Sequence, residues 1–135
     1  MSGKIERFMA EKNKLRVNAQ ANQLLMLMKN RTGLTPNILS RLGYCYSLKN
    51  YDFANPEDYL SEGDGLREFN RYTLFGSDNF IYMALQKQWL LKISNDERTN
   101  FKNLSFDEIT ESHLNRGILV LSKTIRKIED ISMII

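Results

Sequence analysis

The chain has 135 residues, 42% hydrophobic and 26% charged, which suits one soluble globular domain with a real core. Its longest apolar runs fall short of the roughly 20 residues that span a bilayer, the opening Met-Ser-Gly-Lys-Ile-Glu-Arg lacks a secretory leader's apolar stretch, and the lone Cys45 excludes an internal disulfide or a multi-cysteine zinc site. A cytoplasmic protein without a membrane partner is expected. The net charge of +3 is unevenly spread: residues 1–50 hold nine Lys or Arg against two acids, the remainder ten against fourteen.

Ile5, Phe8 and Met9 recur at helical spacing and predict a short amphipathic helix over residues 3–12. Lys14-Leu-Arg-Val-Asn18 alternates polar and apolar, as a short exposed strand does. Ala21, Leu24, Leu25 and Met28 then mark the buried stripe of a helix over 19–31, with Gly33 placed just past its end. Thr35 can cap the next helix and Pro36 suits its first turn. The buried positions expected there are Ile38, Leu39, Leu42, Cys45 and Tyr46. Gly43 sits mid-helix at a cost of about 1 kcal/mol relative to alanine, which suggests a close helix–helix approach.

From Lys49 the pattern loosens into a loop carrying Asn55-Pro56 and Gly63-Asp-Gly65. Aromatic and β-branched residues over 69–75 predict a strand, ended by Gly76-Ser-Asp78, which caps a helix over 78–93 containing Ile81, Ala84, Leu85 and Trp89. A polar connection spans 95–103. Ser105 and Glu108 have capping-box spacing, and a last helix over 111–132 places Leu114, Ile118, Leu121, Ile125 and Ile128 in a heptad-like seam. That seam fits an ordinary core helix or contact with another copy. The expected architecture is mainly α, one compact domain over 1–135 with a short N-terminal strand and a ribbon-helix-helix-like core.

Chemistry-bearing residues are sparse. His113 is the only histidine, and Glu108, Glu111 and Arg116 near it read as helix charges. Asp58, Glu62 and Asp64 match no metal-ligand spacing, and no phosphate-binding Gly-rich loop or nucleophile elbow occurs. Cys45 reads as a small buried hydrophobe. No catalytic residue, metal or cofactor is assigned.

A binding site is better supported. Lys29, Arg31, Thr32, Gly33, Thr35 and Asn37 cluster where one helix ends and the next begins, with Arg41 further along. The free N–H groups and positive dipole end of the second helix suit phosphate, and cations there suit a polyanion. Lys14 and Arg16 on the strand complete the expected contact set. The competing account is that Lys29 and Arg31 simply favour a helix C-terminus, and that the basic and acidic parts are solvated faces.

The stretch Leu27-Met-Lys-Asn-Arg-Thr-Gly-Leu-Thr-Pro-Asn-Ile-Leu-Ser-Arg-Leu42, continuing through Tyr44-Cys-Tyr-Ser-Leu48, resembles the central motif of DndE proteins. Glu68-Phe-Asn-Arg-Tyr-Thr-Leu-Phe-Gly76 and His113-Leu-Asn-Arg-Gly117 resemble the same family, in blocks from near 14 to near 128, while residues 1–13 find no match. DndE belongs to the bacterial DNA phosphorothioation system, which replaces a non-bridging phosphate oxygen with sulfur. The resemblance implies a small, mainly helical, self-associating protein (a tetramer being one form) that binds double-stranded DNA and prefers a nick. It further implies basic residues around the glycine turn, here Lys29, Arg31 and Gly33, as contacts. DndC and DndD are the implied partners, with a cysteine desulfurase as sulfur source. Two alternatives to a DNA-binding accessory subunit stay open: a nicking nuclease using scattered carboxylates or Tyr72, and a scaffold whose basic face binds an acidic protein.

Overall fold

The computed structural model describes residues 12–49, 55–93 and 103–133. The helix expected over 3–12 falls, but for its last residue, outside them, as does most of the 95–103 connection. The described chain is mainly helical, with a short strand near its N-terminal end. In order it forms β1 (Lys14–Val17), α1 (Ala19–Thr32), α2 (Pro36–Lys49), a 3-10 turn (Pro56–Tyr59), β2 (Arg67–Asn70), α3 (Arg71–Phe75), a 3-10 turn (Gly76–Asp78), α4 (Asn79–Ile93), α5 (Phe106–Thr124) and a 3-10 segment (Ile128–Met133). The strand–helix–helix order of residues 14–49 is as expected, and β1 pairs antiparallel with β2 of the same chain, Leu15 opposite Phe69 and Val17 opposite Arg67.

The centre of the fold is α5. Residues 109–118 are buried on every side, so Leu114, Ile118 and Leu121 pack inside the chain, followed by Ile125 just past the helix end. The helix begins five residues earlier than expected. Ser105 accepts the Glu108 N–H (3.1 Å) while the Glu108 carboxylate accepts the Ser105 N–H (3.0 Å), closing the capping box at the true start. It also ends earlier, because Ile125 turns extended at ψ 109°, which leaves Ile128 outside the seam and 49% exposed.

Against α5 lies α2, and Gly43 makes the approach possible. A Cβ built on Gly43 would stand 2.9 Å from the backbone carbon of Gly117, and one on Gly117 only 1.8 Å from the Gly43 carbonyl oxygen. Backbones this close require small residues, so Ser40, Gly43 and Ser47 face α5. The buried face of α2 is therefore Leu39, Ser40, Gly43, Tyr44, Ser47 and Leu48, about 150° around from the expected stripe. Leu39 holds; Ile38 and Cys45 are exposed, and Leu42 and Tyr46 are half-buried.

The strand expected over 69–75 stops at Asn70. There the side-chain oxygen accepts the N–H groups of Tyr72 (3.0 Å) and Thr73 (3.1 Å), which caps the one-turn helix α3 instead. In α4, Trp89 is buried alongside Met83, Gln86 and Ile93, whereas Ile81 and Leu85 are 47% and 44% exposed.

Candidate nucleic-acid interface

The corner between α1 and α2 is built by local rules. Asn18 caps α1 by accepting the Ala21 N–H (2.8 Å). At the other end Gly33 takes φ 78°, a left-handed conformation that costs glycine little, and donates its N–H to Lys29 O (2.8 Å). Thr32 is buried: its hydroxyl donates to Met28 O (2.8 Å) and accepts the Leu34 N–H (3.1 Å), setting the direction of the turn. Thr35 starts α2, its hydroxyl accepting the Ile38 N–H (3.3 Å) and its carbonyl the Leu39 N–H (3.0 Å).

Four cap and turn residues thus point Lys29 and Arg31 into solvent on the last turn of α1, opposite the opening turn of α2. Asn37 and Arg41 follow one turn apart on α2, both half-buried. Arg41 lies close enough to Cys45 and Tyr82 for its charge to oppose the rise that burial imposes on both. Among the described residues, Lys29, Arg31 and Arg41 make no ion pair. No acidic residue stands between Glu11 and Asp52 in the sequence.

Lys14 and Arg16 go elsewhere. Lys14 pairs with Glu68 across the sheet (3.4 Å), and Arg16 approaches Glu111 of α5 (3.9 Å). With Lys12 they line a cavity of about 590 Å³ shared with Glu62, Asp107 and Glu108, a mixed-charge cleft that contains none of Lys29, Arg31 or Arg41. Glu111 and the C-terminal Thr124 of α5 are thirteen residues apart, about 20 Å along the helix. Lys29, Arg31, Thr32, Gly33, Thr35, Asn37 and Arg41 thus follow one another across the α1–α2 turn, whereas Lys14 and Arg16 lie with the acids of α5 and β2.

Polar side chains of α5, among them Glu111, read from sequence as a helix charge, hold the edge of β1. Asp107 accepts the Lys12 N–H (2.6 Å), Glu111 the Arg16 N–H (2.6 Å) and Asn115 the Asn18 N–H (2.9 Å). Their spacing of four puts all three on one face of α5, which covers a strand edge that would otherwise be free to pair with another chain. Burial raises the Glu111 carboxyl, more strongly than the Arg16 N–H lowers it. Asp107 also receives the guanidinium of Arg71, a fully buried side chain whose Nε donates to Lys12 O (2.7 Å).

His113 is fully buried. Its Nδ1 meets the Ser47 hydroxyl at 2.7 Å, and its ring stands edge-on to Trp89, with centroids 4.2 Å apart. Among the described residues no three His, Cys, Asp or Glu side chains group as a metal site, and no helix is long and apolar enough to cross a membrane.

The three stretches that carry the sequence resemblance meet on α5 through Gly43–Gly117, Ser47–His113 and Arg71–Asp107. A family model described as DNA sulphur modification protein DndE matches residues 14–128. The chain belongs to the DndE family. That membership gives it a role in DNA sulphur modification. The fold agrees: the crystal structure of DndE from Escherichia coli B7A, described as involved in DNA phosphorothioation modification, is similar at a TM-score of 0.62 and 22% identity, over 83% of this chain and 98% of that one. No curated protein matches the chain.

Proposed function

We propose that this DndE-family chain is a non-catalytic, DNA-binding accessory subunit of the bacterial phosphorothioation machinery, gripping duplex DNA, nicked duplex included, by its phosphates. The observation that carries this reading is the α1–α2 corner, where Lys29, Arg31 and Arg41 stand beside the opening turn of α2 without an ion-pair partner among the described residues. Contacts of this type read the backbone and not the bases, so binding is steeply salt-dependent and indifferent to sequence. The partners in this reading are duplex DNA, DndC, DndD and further copies of the chain. Exposed apolar side chains on α4, among them Phe80 at 74%, supply a surface for such association.

The test is binding of the purified chain to intact and nicked duplex across a salt series, beside a Lys29→Ala/Arg31→Ala variant of checked fold. Salt-sensitive binding that the variant loses supports the site. A folded parent that binds neither duplex at low salt overturns it.

A further inference from the structure

The α2–α5 contact fixes which parts of the chain share an end of the molecule. Gly43 sits on Gly117, and four residues later Ser47 meets His113, four residues earlier on α5. The two helices therefore run antiparallel. Pro36 and Thr124 are each seven residues from the Gly43–Gly117 contact, about 10 Å along their helices. The first turn of α2, the α1–α2 corner and the last turn of α5 lie together at that end.

Three cations stand where α5 finishes. Lys123, Arg126 and Lys127 are exposed, and among the described residues none makes an ion pair. Their backbone is fixed on both sides: Ile125 is fully buried, its N–H donated to Leu121 O (2.9 Å), and the Asp130 carboxylate accepts the N–H groups of Arg126 (2.9 Å) and Lys127 (3.1 Å). Asp130 and Glu129 are the acids of this segment; the Asp130 carboxylate accepts those two N–H groups, and its charge also acts on the side chains of Lys127 and Arg126, so the segment keeps three cations against two acids. The opposite end of α5 carries Asp107, Glu108 and Glu111. Cations without an ion pair among the described residues thus stand at the corner's end of α5, whereas charges of both signs, largely paired with one another, stand where β1 lies.

We propose that Lys123, Arg126 and Lys127 form the second half of the phosphate-binding surface, continuing the Lys29/Arg31/Arg41 corner so that the duplex backbone is held by both the corner and the end of α5. This rests on the DNA-binding reading above. Each cation that neutralises a phosphate steepens the salt dependence, so the number of neutralised phosphates is measurable.

The experiment is fluorescence anisotropy of a labelled duplex across a salt series with the full chain, its Lys123→Gln/Arg126→Gln/Lys127→Gln triple variant, the Lys29→Ala/Arg31→Ala variant and Lys14→Gln as a control from the β1 end. Circular dichroism and a thermal melt establish that each is folded. The triple variant is expected to weaken binding at least ten-fold and to shallow the log–log salt slope by about 0.9 for every phosphate it leaves without a cation, with Lys14→Gln unchanged. A folded triple variant with the parent's affinity and slope, while the corner variant loses binding, overturns the second half and leaves the corner standing. A parent that binds no duplex overturns both. Should the triple variant melt early, single substitutions decide: each must shallow the slope on its own, and three unaltered slopes overturn the proposal.

Discussion

Arg71 shows how much a single side chain holds here. It is fully buried and bonds to Lys12 O and Asp107, with Asn79 and Met83 also within reach of its guanidinium (3.5 and 3.2 Å), so one residue ties the chain before β1 to α4 and α5. Arg71→Met leaves the Asp107 charge buried without its partner and is expected to destabilise by about 3–5 kcal/mol in urea unfolding. Arg71→Met with Asp107→Leu removes both charges and is expected to recover part of that loss; equal stability of the single and double variants would refute the pairing argument. His113 gives a pH signature. Burial first, and the charge of Arg116 second, lower it from 6.5 to about 3. A histidine kept neutral in this way contributes stability that is fully present above about pH 6.5 and is lost as pH falls toward about 3. Urea midpoints of the parent should fall across that window more steeply than those of His113→Gln, and matching slopes would remove His113 from the account.

Among the elements, the α2–α5 contact tests packing against propensity. Alanine favours a helix interior by about 1 kcal/mol over glycine, yet Gly117→Ala places a Cβ 1.8 Å from the Gly43 carbonyl. It is expected to cost about 3 kcal/mol or more by forcing the helices apart. Gly43→Ala, at 2.9 Å, should cost less. Melting temperatures of the two variants rank them, and a stabilised Gly117→Ala would contradict the close approach. Gly43 was legible as a point of close approach from its place inside a helix pattern, whereas Gly117 stands out in the sequence only as the end of a family motif. The rotation of α2 could not be read, because hydrophobic spacing favours the stripe with the largest side chains and a close contact selects the smallest. For the same reason Cys45, expected inside, faces out.

On the scale of the whole molecule, the apolar face of α4 bears on assembly. Phe80, Ile81 and Leu85 are 74%, 47% and 44% exposed, and Ile81 and Leu85 stand one turn apart. Phe80→Asp with Leu85→Asp is expected to shift the chain to a smaller species in size-exclusion chromatography with light scattering while leaving its circular dichroism intact. A parent that already runs as a monomer would refute self-association through this face. The grouping of charges is the other molecular property. The candidate corner was legible because caps, the glycine turn and its cations are neighbours in the chain. Nearness in sequence groups Lys14 and Arg16 with it, and the fold sends them to the mixed-charge cleft, where Glu68 and Glu111 meet them.

The sequence by itself determined the features governed by short-range chemistry: the helices over 19–31 and from Pro36, the left-handed Gly33, the capping box at Ser105, and the motifs that mark the family. Each depends on residues within a few positions of one another, where hydrogen-bond geometry and side-chain size act directly. Only the tertiary structure decided what depends on residues about 70 to 95 positions apart. That covers the Gly43–Gly117 contact, the α5 side chains on the edge of β1, and the end of the molecule at which α5 finishes. These follow from the antiparallel packing of α2 on α5, whose register is set by backbone approach and buried hydrogen bonds that no local pattern encodes.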